Sequence, residues 1–260
     1  MWTRRQLGAA VLGTAAASPV GNSLAARAAA IDGRFALAPR VGSRWAKHQH
    51  EQAPKLVQLR DGVRLQAGPM GAVDRNGLAI WSRALWGSGD FRLSFGTTKL
   101  DANVGVGSQS LFFLLYFGVQ GDGGPGHPAN LADWPATTVP YTHAYADHVR
   151  GARLSFYYQA PGANGETGPV GCAYFKADGS RNSIPPRGDA AFPGLRGVSY
   201  AWTVRRAGDA VTVRQKDGAT IRSVTFASAA LGQFAAAGNF GLLVAPGRDV
   251  DITSFSVAAA

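Results

Sequence analysis

The sequence predicts an all-β protein, a jelly-roll β-sandwich of two antiparallel sheets. Three observations carry this. Short segments in which apolar and polar residues alternate follow one another along most of the chain, the period-2 pattern of half-buried strands. Turn signals such as Asp61-Gly62 and Asp217-Gly218 separate them. Only one stretch, 227–238 (ASAALGQFAAAG), suggests a helical turn. Many short strands joined by Gly-rich turns pack as a sandwich or barrel.

The chain opens with a different pattern. MWTRRQLGAAVLGTAAASPV carries Arg4-Arg5 ahead of Gln6-Leu7 and a run rich in Ala and Gly, the pattern of a twin-arginine export signal. Small residues through 24–30 suit cleavage. The run is weaker and shorter than the roughly 20 apolar residues of a membrane span. The expectation is a leader over 1–30, a single jelly-roll domain over 31–260, and a periplasmic or secreted product with no membrane association after cleavage. The single cysteine, Cys172, excludes an intrachain disulfide. This suits a route that carries proteins already folded in a reducing compartment. Its neighbours Gly171 and Ala173 offer no chemical partner, so a buried structural thiol is expected.

The formal charge is +10, and without Arg4, Arg5 and Arg27 of the leader it is +7. No Lys/Arg block occurs, so a nucleic-acid partner is not expected. A dispersed arginine excess in an exported protein fits an acidic polysaccharide.

The elements follow in order. Residues 55–68 (KLVQLRDGVRLQAG) alternate around Asp61-Gly62 as a hairpin. Residues 78–100 read as two strands across the turn at 87–90. Residues 108–120 (SQSLFFLLYFGVQ) form a nearly continuous apolar run, a strand buried on both faces. ARLSFYYQA alternates again. Residues 198–226 form a three-stranded meander with turns at 207–209 and 216–218, and 239–258 closes with two strands.

The GDFRLSF strand, the LFFLLYFGVQGDG strand, a Trp134-bearing loop and YTHAYADHVRGARLSFYY resemble, in that order, the concanavalin-A-like lectin/glucanase jelly rolls, and most closely the YesU-like branch associated with bacterial polysaccharide utilisation. The resemblance covers roughly 90–257. It implies the sandwich frame and a polysaccharide partner. It does not decide the chemistry, because lectins, hydrolases and lyases share this frame.

Glucanase-type hydrolysis needs carboxylates at alternate positions of one strand, about 5–5.5 Å apart for retention. The chain has two glutamates, Glu51 and Glu166, both in polar, loop-like segments. Asp249 and Asp251 form the only same-face pair in an expected strand. We read that pair as structural, with calcium the candidate occupant as in some of these jelly rolls; no cofactor is required. Asp90, Asp101, Asp122, Asp133 and Asp147 would have to meet in space to act as a hydrolase pair.

Residues 140–158 (PYTHAYADHVRGARLSFYY) hold four tyrosines, two of the five histidines and two arginines. An extended 141–145 points Tyr141, His143 and Tyr145 one way, and a turn at 146–147 returns His148 beside them. A base to remove a C5 proton, a tyrosine to protonate the leaving oxygen and cations to neutralise the carboxylate are what β-elimination on a uronate needs. The expected catalytic set is therefore His143, Tyr145, His148 and Tyr141. Arg83, Arg150, Arg153, Lys176 and Arg181 are the candidate neutralising cations. YFKADGSRN (174–182) is similar in part to the YFKAG-x-YN strand of jelly-roll alginate lyases. Asp178 replaces its glycine and, with one extra residue before them, Arg181 stands for its tyrosine while Asn182 keeps its place.

The segment 121–140, twenty residues without strand pattern, is long enough to be a functional loop. His127, Asn130, Asp133 and Trp134 would line one wall of a cleft, with Trp134 stacking on sugar. The expected substrate-binding set is Arg83, Tyr116, His127, Trp134, Arg150, Lys176, Arg181 and Asn182. Metal ligation by His143, His148 and Asp147, with His127 as a fourth, is a rival use, although the spacing matches no strong zinc or iron signature. Trp81 and Trp86 are either core or a sugar platform.

Three functional readings stand: a lyase on an acidic glycan, a non-catalytic carbohydrate-binding jelly roll, and an aspartate-based glycoside hydrolase.

Overall fold

The computed structural model describes residues 35–36, 45–49, 54–68, 77–86, 89–100, 110–138, 147–158, 167–176, 180–233 and 237–260. The expected leader, Tyr141, His143, Tyr145, Glu51, Asp101 and Glu166 lie outside them.

Seventeen strands and one short helix form the described part. They are β1 (Phe35–Ala36), β2 (Trp45–His48), β3 (Lys55–Leu59), β4 (Gly62–Gln66), β5 (Leu78–Ser82), β6 (Phe91–Lys99), β7 (Ser110–Gly121), β8 (Val149–Tyr158), β9 (Thr167–Phe175), β10 (Arg181–Ile184), β11 (Pro186–Arg187), β12 (Ala191–Pro193), β13 (Ser199–Ala207), β14 (Ala210–Asp217), β15 (Thr220–Ala227), α1 (Ala229–Gly232), β16 (Asn239–Val244) and β17 (Asp249–Ala259). The nine-stranded sheet runs β11-β15-β14-β13-β6-β17-β4-β3, with β1 on β17. The eight-stranded sheet runs β10-β9-β8-β7-β16-β5-β2, with β12 on β9. Every strand pairing is antiparallel. This is the concanavalin-like jelly-roll sandwich. The hairpin at 55–66, the meander and the closing strands fall where the alternation places them. β2, β10, β11 and β12 have two to four residues each, too few for a period to register.

Alternation builds the interior. In β13 the pattern sends Tyr200, Trp202, Val204 and Arg206 inward. Inward residues of both sheets meet in one aromatic core. Phe113 and Phe156 stack at 4.2 Å, Phe91 and Phe240 meet edge to face at 5.2 Å, and Trp202 lies parallel to Phe95. Such pairs add to the area they bury. The Trp202 indole donates to Thr97 Oγ1 at 2.8 Å, so its one polar atom is satisfied.

The eight-stranded sheet is buried on its other face too, as the apolar run of β7 predicts. Leu114, Tyr116, Trp81, Leu243 and Phe175 form a second cluster there, closed by Leu131, Ala132 and Trp134 of the loop after β7. Trp81 is therefore core. Gly241 lies beneath it, where a Cβ would sit 2.2 Å from the indole ring.

Gly241→Ala should therefore cost about 1–3 kcal/mol through overpacking. The urea midpoint should fall with the slope unchanged; a midpoint equal to the parent's would contradict this packing.

Candidate functional site

The loop after β7 is locked in place by its own backbone. Gly121 donates to Ala129 O, Gly123 to His127 O and His127 to Gly124 O, each at 2.9–3.0 Å. Asp122 donates to His148 O at 2.9 Å, tying the loop to the start of β8. Gly121 is required by close approach, since a Cβ there would lie 2.2 Å from Pro128 O. The loop then enters a 3₁₀ turn, Leu131–Asp133, capped by the Asn130 side chain, which accepts from Ala132 N.

A buried polar network fastens that turn to the sheet. Asn239, fully buried in β16, accepts from Leu131 N at 2.9 Å through Oδ1. Its Nδ2 donates to Ser82 O at 2.6 Å and to Asn130 Oδ1 at 2.8 Å. Trp134 is driven down onto the second cluster, and its indole donates to Pro128 O at 2.7 Å. His48 lies fully buried beside it, parallel to the indole at 6.5 Å. Burial lowers the His48 pKa from 6.5 to about 4, against the opposing pull of a hydrogen bond with the Leu131 backbone.

This arrangement brings together three side chains that the sequence leaves apart. The Asp122 carboxylate pairs with His148 Nδ1. The His148 ring stacks on His127 at 3.7 Å and 13°. His127 also meets Trp134 at 4.8 Å. The pairing holds the Asp122 carboxyl below its ordinary range, chiefly through the His148 hydrogen bond, with a second bond from Gly124 N.

The other expected site residues disperse. Tyr116 and Trp134 are buried, at 3 % and 4 % exposure. The open sugar platform expected of Trp134 is thus corrected: its ring fills the cluster beneath the loop. Tyr116 packs on Trp81 at 5.2 Å, with the Arg153 guanidinium over Tyr116 at 6.0 Å and over Phe175 at 5.0 Å. Arg83 is exposed just after β5. Arg150 donates to Asp147 O and Val149 O. Gly151 pairs with Phe175, so Arg150 and Lys176 follow at one end of β8 and β9. Arg181 and Asn182 are exposed on edge strand β10. The Asp249/Asp251 pair has a structural use: Arg64 grips Asp251 with two hydrogen bonds, at 2.7 and 3.0 Å. A calcium ion there would have to displace that guanidinium. Asp90 accepts from Gly208 N, so it and Asp122 are engaged on separate elements. The Cys172 thiol is buried, and burial pushes its pKa up to about 12.

A second region was not expected. The outer face of the nine-stranded sheet carries a groove of about 630 Å³, lined by Arg92, Thr203, Arg205, Thr212, Arg214 and Lys216 among others. It runs into a neighbouring hollow of about 660 Å³ through the shared residues Ala201, Thr203 and Lys216. The two form one trough across β6, β13 and β14. Arg92 stands directly opposite Arg205, Arg214 opposite Thr203 and Lys216 opposite Ala201. All four cations are exposed, and no Asp, Glu or His lines the groove among the described residues. None of the four makes an ion pair or side-chain hydrogen bond among the described residues. Like charges placed opposite each other cost stability, so this face is organised against its own electrostatics. Alternation marks each residue as outward. Only the register between β6 and β13, more than a hundred positions apart, shows that they share a site.

Comparison with known proteins found no matching family model and no matching curated protein. Solved structures do match. A Bacillus subtilis protein of unknown function with a galectin-like fold aligns at TM-score 0.54 and 11% identity, covering 87% of this chain and 97% of that one. Peanut lectin aligns at 0.52 and 11%, covering 88% and 97%. The exoplasmic/lumenal domain of VIP36, in a form bound to Ca2+ and Man3GlcNAc, aligns at 0.52 and 13%, covering 86% and 89%. At these identities the likeness shows the fold.

Two outcomes are expected for the loop. In the unfolded chain His48 takes up a proton below its ordinary pKa of 6.5, and in the folded chain only below about 4. Its contribution is thus complete above pH 6.5 and is lost as the pH falls to 4, on the order of 3 kcal/mol. Denaturation from pH 7.5 down to 4 should show this loss, and His48→Gln should flatten that part of the profile. Asn239→Ala leaves Leu131 N and Ser82 O without their partner and should cost about 2–6 kcal/mol at 1–3 per buried group, read from chemical denaturation.

Proposed function

We propose that this protein is a non-catalytic carbohydrate-binding jelly roll whose ligand is an anionic glycan, held in the trough on the outer face of the nine-stranded sheet. The observation that carries this is the set of four exposed cations, Arg92, Arg205, Arg214 and Lys216, which converge on one groove and make no ion pair or side-chain hydrogen bond among the described residues. An anionic ligand supplies counter-charges to this set. Guanidinium forks suit carboxylate or sulfate groups, and Thr203 and Thr212 between them suit sugar hydroxyls. Among the described residues the groove lining offers cations and hydroxyls and no Asp, Glu or His side chain, a lining suited to binding. The lectin folds among the structural neighbours agree with a sugar ligand, VIP36 having been captured with Man3GlcNAc. Arg92 belongs to the GDFRLSF strand. That strand carries part of the resemblance to YesU-like proteins, and we propose that the chain belongs to that branch and is exported by a twin-arginine leader.

One observation favours a second reading, the uronate lyase. Asp122 orients His148 through Nδ1, as a carboxylate orients a general base.

Affinity electrophoresis and calorimetry with uronate, sulfated and neutral polysaccharides test the proposal. Binding should be selective for the anionic polymers and weaken with salt. Arg205→Ala and Arg214→Ala should each weaken it about tenfold or more, since a charged hydrogen bond contributes about 1.5–3 kcal/mol. Neither should lower the melting temperature, because each relieves repulsion. Equal binding of neutral glycans, or unchanged affinity in the double variant, would sink the proposal. Release of unsaturated sugar, seen by its ultraviolet absorbance, would establish the lyase instead.

A further inference from the structure

We infer that Asp122, His127 and His148 form a binding site for a late first-row divalent metal ion, zinc being the ordinary occupant, which clips the loop after β7 to the start of β8. The inference stands on different residues and a different sheet from the glycan trough, and it does not depend on that reading.

The first observation is convergence. One carboxylate oxygen and one nitrogen from each imidazole lie within 4.8 Å of one another. Tetrahedral zinc, with bonds of about 2.0–2.2 Å to nitrogen and oxygen, sets its ligand atoms roughly 3.3–3.5 Å apart. To reach it the ligand atoms close by up to about 1.5 Å and the two stacked imidazoles turn out of parallel so that their in-plane lone pairs converge on one ion. They also sit at the surface, His148 with 36 % and Asp122 with 22 % of its side chain exposed, which leaves an entry path and room for a water as fourth ligand.

The second observation is that the backbone, not the side chains, sets the placement. Asp122 N donates to His148 O, Gly123 N to His127 O and His127 N to Gly124 O. The Cα positions of all three residues are therefore fixed by hydrogen bonds that need no metal, and the site is prebuilt. Asp122 Oδ1 is held by Gly124 N at 3.0 Å, which leaves Oδ2 facing the imidazoles. Behind His127 stands Trp134, itself anchored on Pro128 O. Such a wall limits the rotation of the ring, as outer-shell contacts do in metal sites.

The third observation is the donor set. Two imidazoles stack face to face beside a carboxylate. Two nitrogens and one oxygen suit zinc, copper or nickel. Calcium takes six to eight oxygens, and no such set occurs at this cluster among the described residues. The site is also distinct from the combination that spacing alone suggested. His127 and His148 are retained, Asp122 replaces Asp147, and Asp147 is an exposed residue whose carbonyl accepts from Arg150.

The test uses the full folded protein stripped with a chelator and titrated with Zn²⁺, and separately with Co²⁺ as a spectroscopic stand-in. One equivalent should bind, raise the melting temperature and give the intense visible bands of four-coordinate Co²⁺, while Ca²⁺ at the same concentrations gives no shift. His127→Ala and His148→Ala should each weaken Zn²⁺ binding about 100-fold or more, at or beyond the loss caused by outer-shell changes. Their circular dichroism should match that of the stripped parent. Asp122→Asn, which keeps the shape, should also weaken binding. Should the histidine variants misfold, Cu²⁺ electron paramagnetic resonance on the parent decides, because nitrogen hyperfine structure from two imidazoles is required. Substoichiometric binding, parent-like affinity in the histidine variants, or a Cu²⁺ spectrum without two nitrogens would overturn the inference.

Discussion

The Asn239 side chain is the interaction on which the loop region depends. It is fully buried, and its amide bonds to three partners on two segments. A buried amide is costly unless satisfied, so the network is either complete or destabilising. Complete, it fixes the 3₁₀ turn at 131–133. The turn sets Trp134, Trp134 backs His127, and His127 stacks on His148. The geometry of an exposed cluster is thus decided beneath it, by one asparagine of the sheet and an aromatic layer that shields it from water.

The same period-2 alternation serves both faces of the nine-stranded sheet. In β13 it sends Trp202 and Val204 into the core and Thr203 and Arg205 into the trough. Arg206 obeys the same alternation with a charged side chain. It points inward, is 6 % exposed, and donates to Gly89 O at 2.9 Å. Burial lowers its pKa against the partial compensation of Asp90. The eight-stranded sheet spends both of its faces on packing around β7, β16 and β5, which leaves the outer face of its partner as the open, polar one.

The strands with strong alternation, β6, β13 and β14, were legible in the sequence because burial on one face imposes the period. The loop at 121–140 was legible as a special segment, because so long a stretch without a period must be held by something else. Its inner workings were not. Trp134 looked like a sugar platform because aromatic residues in loops are ambiguous between core and surface until the partner is known; here the partners are His48 and Pro128. Asp122, His127 and His148 were each visible as candidates, but their meeting depends on a backbone bond, Asp122 N to His148 O, between residues 26 positions apart. The trough was missed altogether. Arg92 and Arg205 belong to strands joined only by register, and no local pattern reports which strands will be neighbours.

The nine-stranded sheet also divides its charge. At the β4–β17 end Arg64 and Asp251 neutralise each other, while across β6, β13 and β14 the four cations make no ion pair among the described residues. If the trough takes an anionic glycan as proposed, its clustered cations would act before contact, and a polyanion drawn toward them would meet the sheet already turned. Orientation during the encounter would then raise the rate of capture more than its strength.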